Sequence, residues 1–159
     1  MTPGLLDVLT PYIDYHSSVH GTDYRKSIFL FLSNTGGNDI ARVSHKFWED
    51  GKERYDMKLK DFDSLINGGA FNERGGFQKS DIISKNLIDH YIPFLPLEKK
   101  HVMLCARDVL QEKHHHITVT TELLETIADE MEYFPPSSNL YSKTGCKRVQ
   151  KKVDVLVID

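Results

Sequence analysis

Three kinds of residue in this chain have types and positions that could do chemistry. Asn34 follows Ser33 and the apolar run Ile28-Phe29-Leu30-Phe31-Leu32. An amide at the carboxyl end of a buried strand can hold a water or a phosphate oxygen, because open α/β sheets bind ligands at that edge. The same Ser33-Asn34-Thr35-Gly36 stretch can equally be a simple turn, which Asn and Gly favour. Lys147 stands in Thr144-Gly145-Cys146-Lys147, where a helix is expected to begin. A cation in a first turn opposes the helix macrodipole, and Gly145 lowers helix propensity there. Free backbone N–H groups beside an ammonium would suit a phosphate; the alternative is a lysine that points into solvent. The third kind is sulfur. Cys105 and Cys146 are the two cysteines, and composition does not choose between two free thiols and one disulfide. Cys105 falls in an apolar helical stripe, which favours a buried inert thiol over a nucleophile.

Other chemistries lack their residues. His114-His115-His116 cannot all reach one ion from a regular element, so a solvated linker is expected there and no metal site. The chain has no H-E-x-x-H pair and no G-x-x-x-x-G-K-[ST] phosphate loop. It has no G-x-S-x-G nucleophile elbow. Nor does any expected strand end in paired carboxylates able to hold Mg²⁺ and polarise water, as nucleotide hydrolysis requires. Net charge is −3, from 20 basic and 23 acidic side chains, so no basic excess points to nucleic acid. The basic run from Lys143 to Lys152 reads as a solvated helix face. No apolar run reaches the roughly 18 residues of a membrane span, and the first residues lack the pattern of a signal peptide.

The elements that would position these residues follow from periodicity. Pro3 to about Tyr15 is expected to be a short helix, and 16–26 a loop or hairpin. Ile28–Leu32, apolar without alternation, reads as a strand buried on both faces. Asn38 is expected to cap a helix to about Asp50, ended by Gly51, with Ile40, Val43 and Phe47 inward. A further helix from Lys58 is expected to stop at Gly68-Gly69. Residues 72–79 read as a loop, with Ser80 or Asp81 capping a short helix. Leu87 onward can begin a strand, which Pro93 bars from a fully paired central position. Beyond Pro96 the pattern is helical. Val102, Cys105, Ala106, Val109 and Leu110 mark one helix. Leu124, Ile127, Ala128 and Met131 mark a second, and Cys146, Val149, Val153 and Leu156 a third starting near Thr144. The fold class expected is therefore α/β to about residue 95, followed by a small all-helical part over 96–159.

Taken in order, PGLLDVLTPYIDY, GTDYRKSIFLFLSNTGG, KLKD, NLIDHYIPFLPLEKKHV, EMEYFP and SKTGCK resemble the C-terminal half of torsins, AAA+ ATPases of the endoplasmic reticulum and nuclear envelope lumen. The resemblance covers essentially all 159 residues. It implies that residues 1–95 are the last part of an AAA+ large α/β subdomain and 96–159 the small helical subdomain. It implies that Asn34 is the sensor-1 asparagine beside the γ-phosphate and its attacking water. Lys147, with Gly145, takes the place of the sensor-2 lysine that reaches the nucleotide. Cys105 and Cys146 match the family's redox-responsive pair.

The implied cofactor is ATP, with Mg²⁺, in a full-length parent that carries the two Walker motifs. Those motifs would lie upstream of Met1, which then reads as an internal methionine or the start of a truncated gene model. The implied partners are the luminal domains of lamina-associated polypeptide-type activators, which supply an arginine finger, with a homo-oligomer also open. The implied activity is chaperone-like remodelling of luminal proteins. The chain by itself is expected to bind nucleotide weakly and to hydrolyse none. An alternative is a non-catalytic interaction module that binds the activating partner.

Overall fold

The computed structural model describes residues 2–72 and 77–157. The chain divides into two compact units, Met1–Leu95 and Pro96–Asp159.

The first unit opens with a 3-10 turn, Leu5–Leu9, that continues into α1 (Thr10–Ile13). Pro3 lies ahead of this helical stretch; Pro11 occupies the start of α1 instead. α2 (Gly37–Glu49) buries Ile40 and Ser44, and the Ser44 hydroxyl donates back to the Ile40 carbonyl at 2.8 Å. Its N-cap is Gly36 rather than the expected Asn38. It ends in a Schellman motif, with the Gly51 N–H on the Trp48 carbonyl and the Lys52 N–H on that of Phe47. α3 (Asp63–Asn72) runs through Gly68-Gly69, which were expected to stop it. The reason is tertiary: a Cβ on Gly69 would lie 3.6 Å from Gly36 Cα and from Thr35 Cγ2. Close backbone packing suits a small residue and outweighs the helix cost of about 1 kcal/mol per glycine. α4 (Asp81–Ser84) is capped by Ser80, whose hydroxyl accepts from the Ile83 N–H at 3.4 Å. Phe62, Ile82, Ile83, Ile40 and Ala70 are the unit's buried apolar residues. Of the loop expected over 72–79, residues 73–76 lie outside the described residues.

The two strands expected in this unit are not formed. Residues 27–34 and 87–95 belong to no helix or strand, and Ile28, Leu30 and Leu32 are 86%, 83% and 89% exposed. A strand exists only where its N–H and C=O groups find a ladder, and no strand among the described residues of this unit offers one. Phe31 is partly covered, edge-on to Phe77 with centroids 5.5 Å apart.

The apolar periodicity expected of the second unit is met in its first two helices, but the unit is not all-helical, since it also holds a two-stranded sheet. In α5 (Lys99–Lys113), Val102, Ala106 and Leu110 recur every fourth residue and are wholly buried. α6 (Thr121–Asp129) buries Ile127 and Ala128, and its N-cap Thr120 accepts from the Leu123 N–H at 3.2 Å. α7 (Val149–Leu156) contributes Val149 and Val153. These residues and Met131 form one core, with α5 packed against both α6 and α7. Between α6 and α7 lies a hairpin that periodicity did not reveal. Its strands, β1 (Tyr133–Phe134) and β2 (Tyr141–Ser142), pair antiparallel with Tyr133 opposite Ser142. A bridge from Glu98 to Tyr141 and the Ser142 N–H on the Leu97 carbonyl tie β2 to the segment entering α5.

The described residues are thus helices with one small two-stranded sheet, compatible at that coarse level with the α/β class. Among them no helix is long and apolar enough to cross a membrane.

Candidate functional site

Asn34 is held by a local turn and not at the end of a strand. The Thr35 N–H donates to Ser33 Oγ at 3.1 Å, and the two hydroxyls of Ser33 and Thr35 are 2.7 Å apart. The Gly37 N–H reaches the Asn34 carbonyl at 3.3 Å. Gly36 then takes φ +73, a left-handed conformation that costs glycine little, and turns the chain into α2. Asn34 is exposed, and its side-chain amide has no hydrogen bond to another described residue. The site is therefore an outward amide immediately before a helix start.

In the second unit, α7 begins at Val149 and not near Thr144. Residues 143–148 form successive turns, with the Lys147 N–H on the Thr144 carbonyl and the Val149 N–H on that of Cys146. The cause is Gly145. Its φ is +56, outside the right-handed helical region, and Ser142 Oγ donates to its carbonyl at 2.9 Å. Lys147 so precedes the N-cap, Arg148, and the macrodipole penalty expected for a first-turn cation is reduced. Leu156 is 39% exposed and leaves the expected apolar stripe.

The cations around this turn differ in pairing. Lys143 bonds Glu132 at 3.2 Å and Lys152 bonds Glu130 at 3.3 Å. Exposed pairs of this kind contribute about 1 kcal/mol or less. Lys147, Arg148 and Lys151 are exposed and have no such partner among the described residues. Together they give this end of α7 an unneutralised positive charge.

Cys105 of α5 and Cys146 of the turn are joined as a disulfide, with Cα atoms 6.2 Å apart. Of the two readings open to composition, the structure has the bridge. The second unit therefore brings together Cys105, Cys146, Gly145 and Lys147, while Asn34 belongs to the first unit.

The histidine tract bonds within its own unit. His114 Nε2 lies 3.4 Å from Asp154, and His115 Nδ1 lies 2.8 Å from the Gln111 carbonyl. Among the described residues no group of three or more His, Cys, Asp or Glu could hold a metal ion. Sequence reading passed over Arg148 and Lys151 as members of a solvated face; their lack of acidic partners is visible only in three dimensions.

Comparison with known proteins bears on the same regions. Residues 97–155 match the family described as "Torsin-1A, C-terminal domain". A torsin-like protein of Caenorhabditis elegans is 40% identical over 152 residues, covering 95% of this chain and 43% of that protein. A torsin-like protein of Drosophila melanogaster is 36% identical over 159 residues, covering 99% of this chain and 47% of that protein. The chain spans a little under half the length of both relatives. With the C-terminal domain matched and identity of this level sustained along nearly the whole sequence, the chain belongs to the torsin family.

Proposed function

We propose that this chain is the sensor-bearing C-terminal portion of a torsin-like AAA+ ATPase. On this reading residues 1–95 belong to the large α/β subdomain and 96–159 are its small helical lid. The observation that carries it is the order of the FLSN, PFLPLE and GCK elements in a chain of torsin ancestry. The side chains are also chemically available. Asn34 has an outward amide that can both donate to and accept from a water. Lys147 is an exposed cation that can meet a phosphate as a point charge.

In the whole protein, Asn34 would orient the water that attacks the γ-phosphate of ATP, and Lys147, placed by the Gly145 turn, would neutralise phosphate charge. The described residues bring no acidic cluster together for Mg²⁺, so its ligands are expected from the remainder of a full-length torsin. Binding and hydrolysis of ATP would drive chaperone-like remodelling of proteins in the lumen of the endoplasmic reticulum and nuclear envelope. The partners on this reading are the luminal domains of lamina-associated polypeptide-type activators, with self-assembly a further expectation. The disulfide anchors the turn that carries Lys147 to α5, so its redox state would bias where Lys147 points.

The test uses the longest natural product of the gene. Asn34→Ala should lower ATP hydrolysis by about 10²-fold with nucleotide still bound. Lys147→Ala should weaken binding of a fluorescent ATP analogue. Wild-type behaviour of both variants would overturn the assignment. An immunoblot of source cells for the C-terminal peptide fixes the species that acts: a band well above 18.3 kDa is expected.

A second reading has its own observation. Ile28, Leu30, Leu32, Ile92 and Phe94 are strongly exposed, as in a chain that works only against another polypeptide. On this reading the 159 residues are a non-catalytic interaction module that occupies the activating partner. A native band at 18.3 kDa and co-purification with the activator's luminal domain would favour it.

A further inference from the structure

The first unit carries a groove unrelated to Asn34. It has a volume of about 390 Å³ and lies between Leu59, Asp63, Ser64 and Asn67 on one side and Asp89, His90 and Tyr91 on the other. That volume is at the lower end of the range for ligand sites.

Its charge is unusual for this unit. The other described acidic side chains of residues 2–95 are all engaged. Asp23, Asp39, Asp50 and Asp81 pair with cations, Glu49 meets the His45 ring, and Asp7, Asp14, Glu53, Asp56 and Asp61 accept backbone N–H groups. Asp63 and Asp89 do none of these with any described residue, and both line the groove. Two unneutralised carboxylates facing one cleft raise the local concentration of cations.

The lining selects among cations. No set of three acidic, His or Cys groups converges as metal ligands require, so a compact ion is disfavoured. Tyr91 is partly buried and offers an aromatic wall. Its phenol is pushed upward, first by burial and then by the charge of Asp63, which places that carboxylate within electrostatic reach of the ring. Leu59 gives an apolar surface for an aliphatic stem, and Ser64 and Asn67 add acceptors. A planar, weakly hydrated cation with several N–H donors and an apolar stem uses all of these.

We propose that this groove binds the guanidinium of an arginine side chain presented by a partner polypeptide. Asp63 and Asp89 take its charge and Tyr91 its face. This inference is independent of the nucleotide reading.

The test is an amide-resolved NMR titration of the ¹⁵N-labelled chain with N-acetyl-arginine-amide. The lysine analogue and the uncharged citrulline analogue are run beside it. Saturable shifts are expected at Ser64, Asn67, His90 and Tyr91 with the arginine compound. They should be about tenfold weaker with lysine and absent with citrulline. Asp63→Asn with Asp89→Asn should abolish them. Because Asp63 sits in the first turn of α3, Asp89→Asn alone is a second variant. It should weaken binding by about tenfold with the α3 signals unmoved. Equal binding of citrulline, binding that survives both substitutions, or shifts confined to other residues would each overturn the proposal.

Discussion

Cys105, in the middle of α5, is bonded to Cys146, the residue immediately before Lys147. The bond spans a sequence separation of 41 and encloses α6 and the β1–β2 hairpin. In the chain-entropy description such a loop restricts the unfolded ensemble by about 4 kcal/mol. Cys105→Ser should therefore lower the urea midpoint of the second unit, followed by far-UV circular dichroism. A reductant should do the same to the parent protein and nothing further to the variant. An unchanged midpoint on reduction would mean that packing alone holds the turn.

The Gly145 backbone is the second point of control over Lys147. An alanine Cβ there would meet Leu97 Cδ1 at an ordinary 3.6 Å, so space is not the obstacle. The left-handed φ is, and it costs an L-residue about 1–2 kcal/mol. Gly145→Ala should destabilise the second unit by that amount. If Lys147 serves nucleotide, the same change should weaken binding by the parent protein. A neutral effect on the melting temperature would show that the turn does not hold this conformation in solution.

Alkali should act on Tyr133. Its hydroxyl donates to the Ala128 carbonyl at 2.8 Å, and burial, followed by the charge of Asp129, pushes the phenol up to about 12. The unfolded chain ionises near the ordinary value of about 10. The folded state thus favours the protonated phenol, and its contribution is complete below pH ~10 and lost as pH rises through about 12. The stability of the second unit should fall across that window, and Tyr133→Phe should flatten the fall. Identical pH profiles for the two proteins would remove Tyr133 as the cause.

Thr10 is the opposite case, a polar group whose loss should help. Its hydroxyl is buried and has no hydrogen-bond partner among the described residues. Burial without a partner costs about 1–3 kcal/mol. Thr10→Val keeps the shape and removes the hydroxyl, so the first unit should be unchanged or about 1 kcal/mol more stable. A loss of stability would mean that the hydroxyl is bonded in solution.

These elements also show what the amino-acid order could and could not convey. Val102, Ala106 and Leu110 recur at helical spacing and are buried together, because a helix satisfies its own backbone and needs only one apolar face. Ser80 was legible as one of two candidate caps for the same local reason. Ile28–Leu32 carried as strong a signal, yet strand formation depends on a neighbour that the run cannot specify, and the segment stays unpaired. Gly68-Gly69 misled because their propensity is local, whereas the packing of Gly69 against Gly36 is not. The β1–β2 hairpin is two residues per strand, too short for any alternation to register. The positions of Asn34, Gly145 and Lys147 were legible as motifs. The pairing of charges around them was not, since Lys143 finds Glu132 and Lys152 finds Glu130 through the fold. Asp63 and Asp89 were missed for that reason as well.

The core shared by α5, α6 and α7 has a genetic corollary. Its eight buried members, from Val102 to Val153, all come from residues beyond Pro96. A segment whose interior is internally complete behaves as a cassette: exchanged between paralogues at Leu95–Pro96, it would carry its interior, its sulfur bridge and its lysine as one heritable block. Chimeras joined there should fold in the second unit whichever torsin donates the first. Junctions placed inside α5 would divide a single core between two histories and should not.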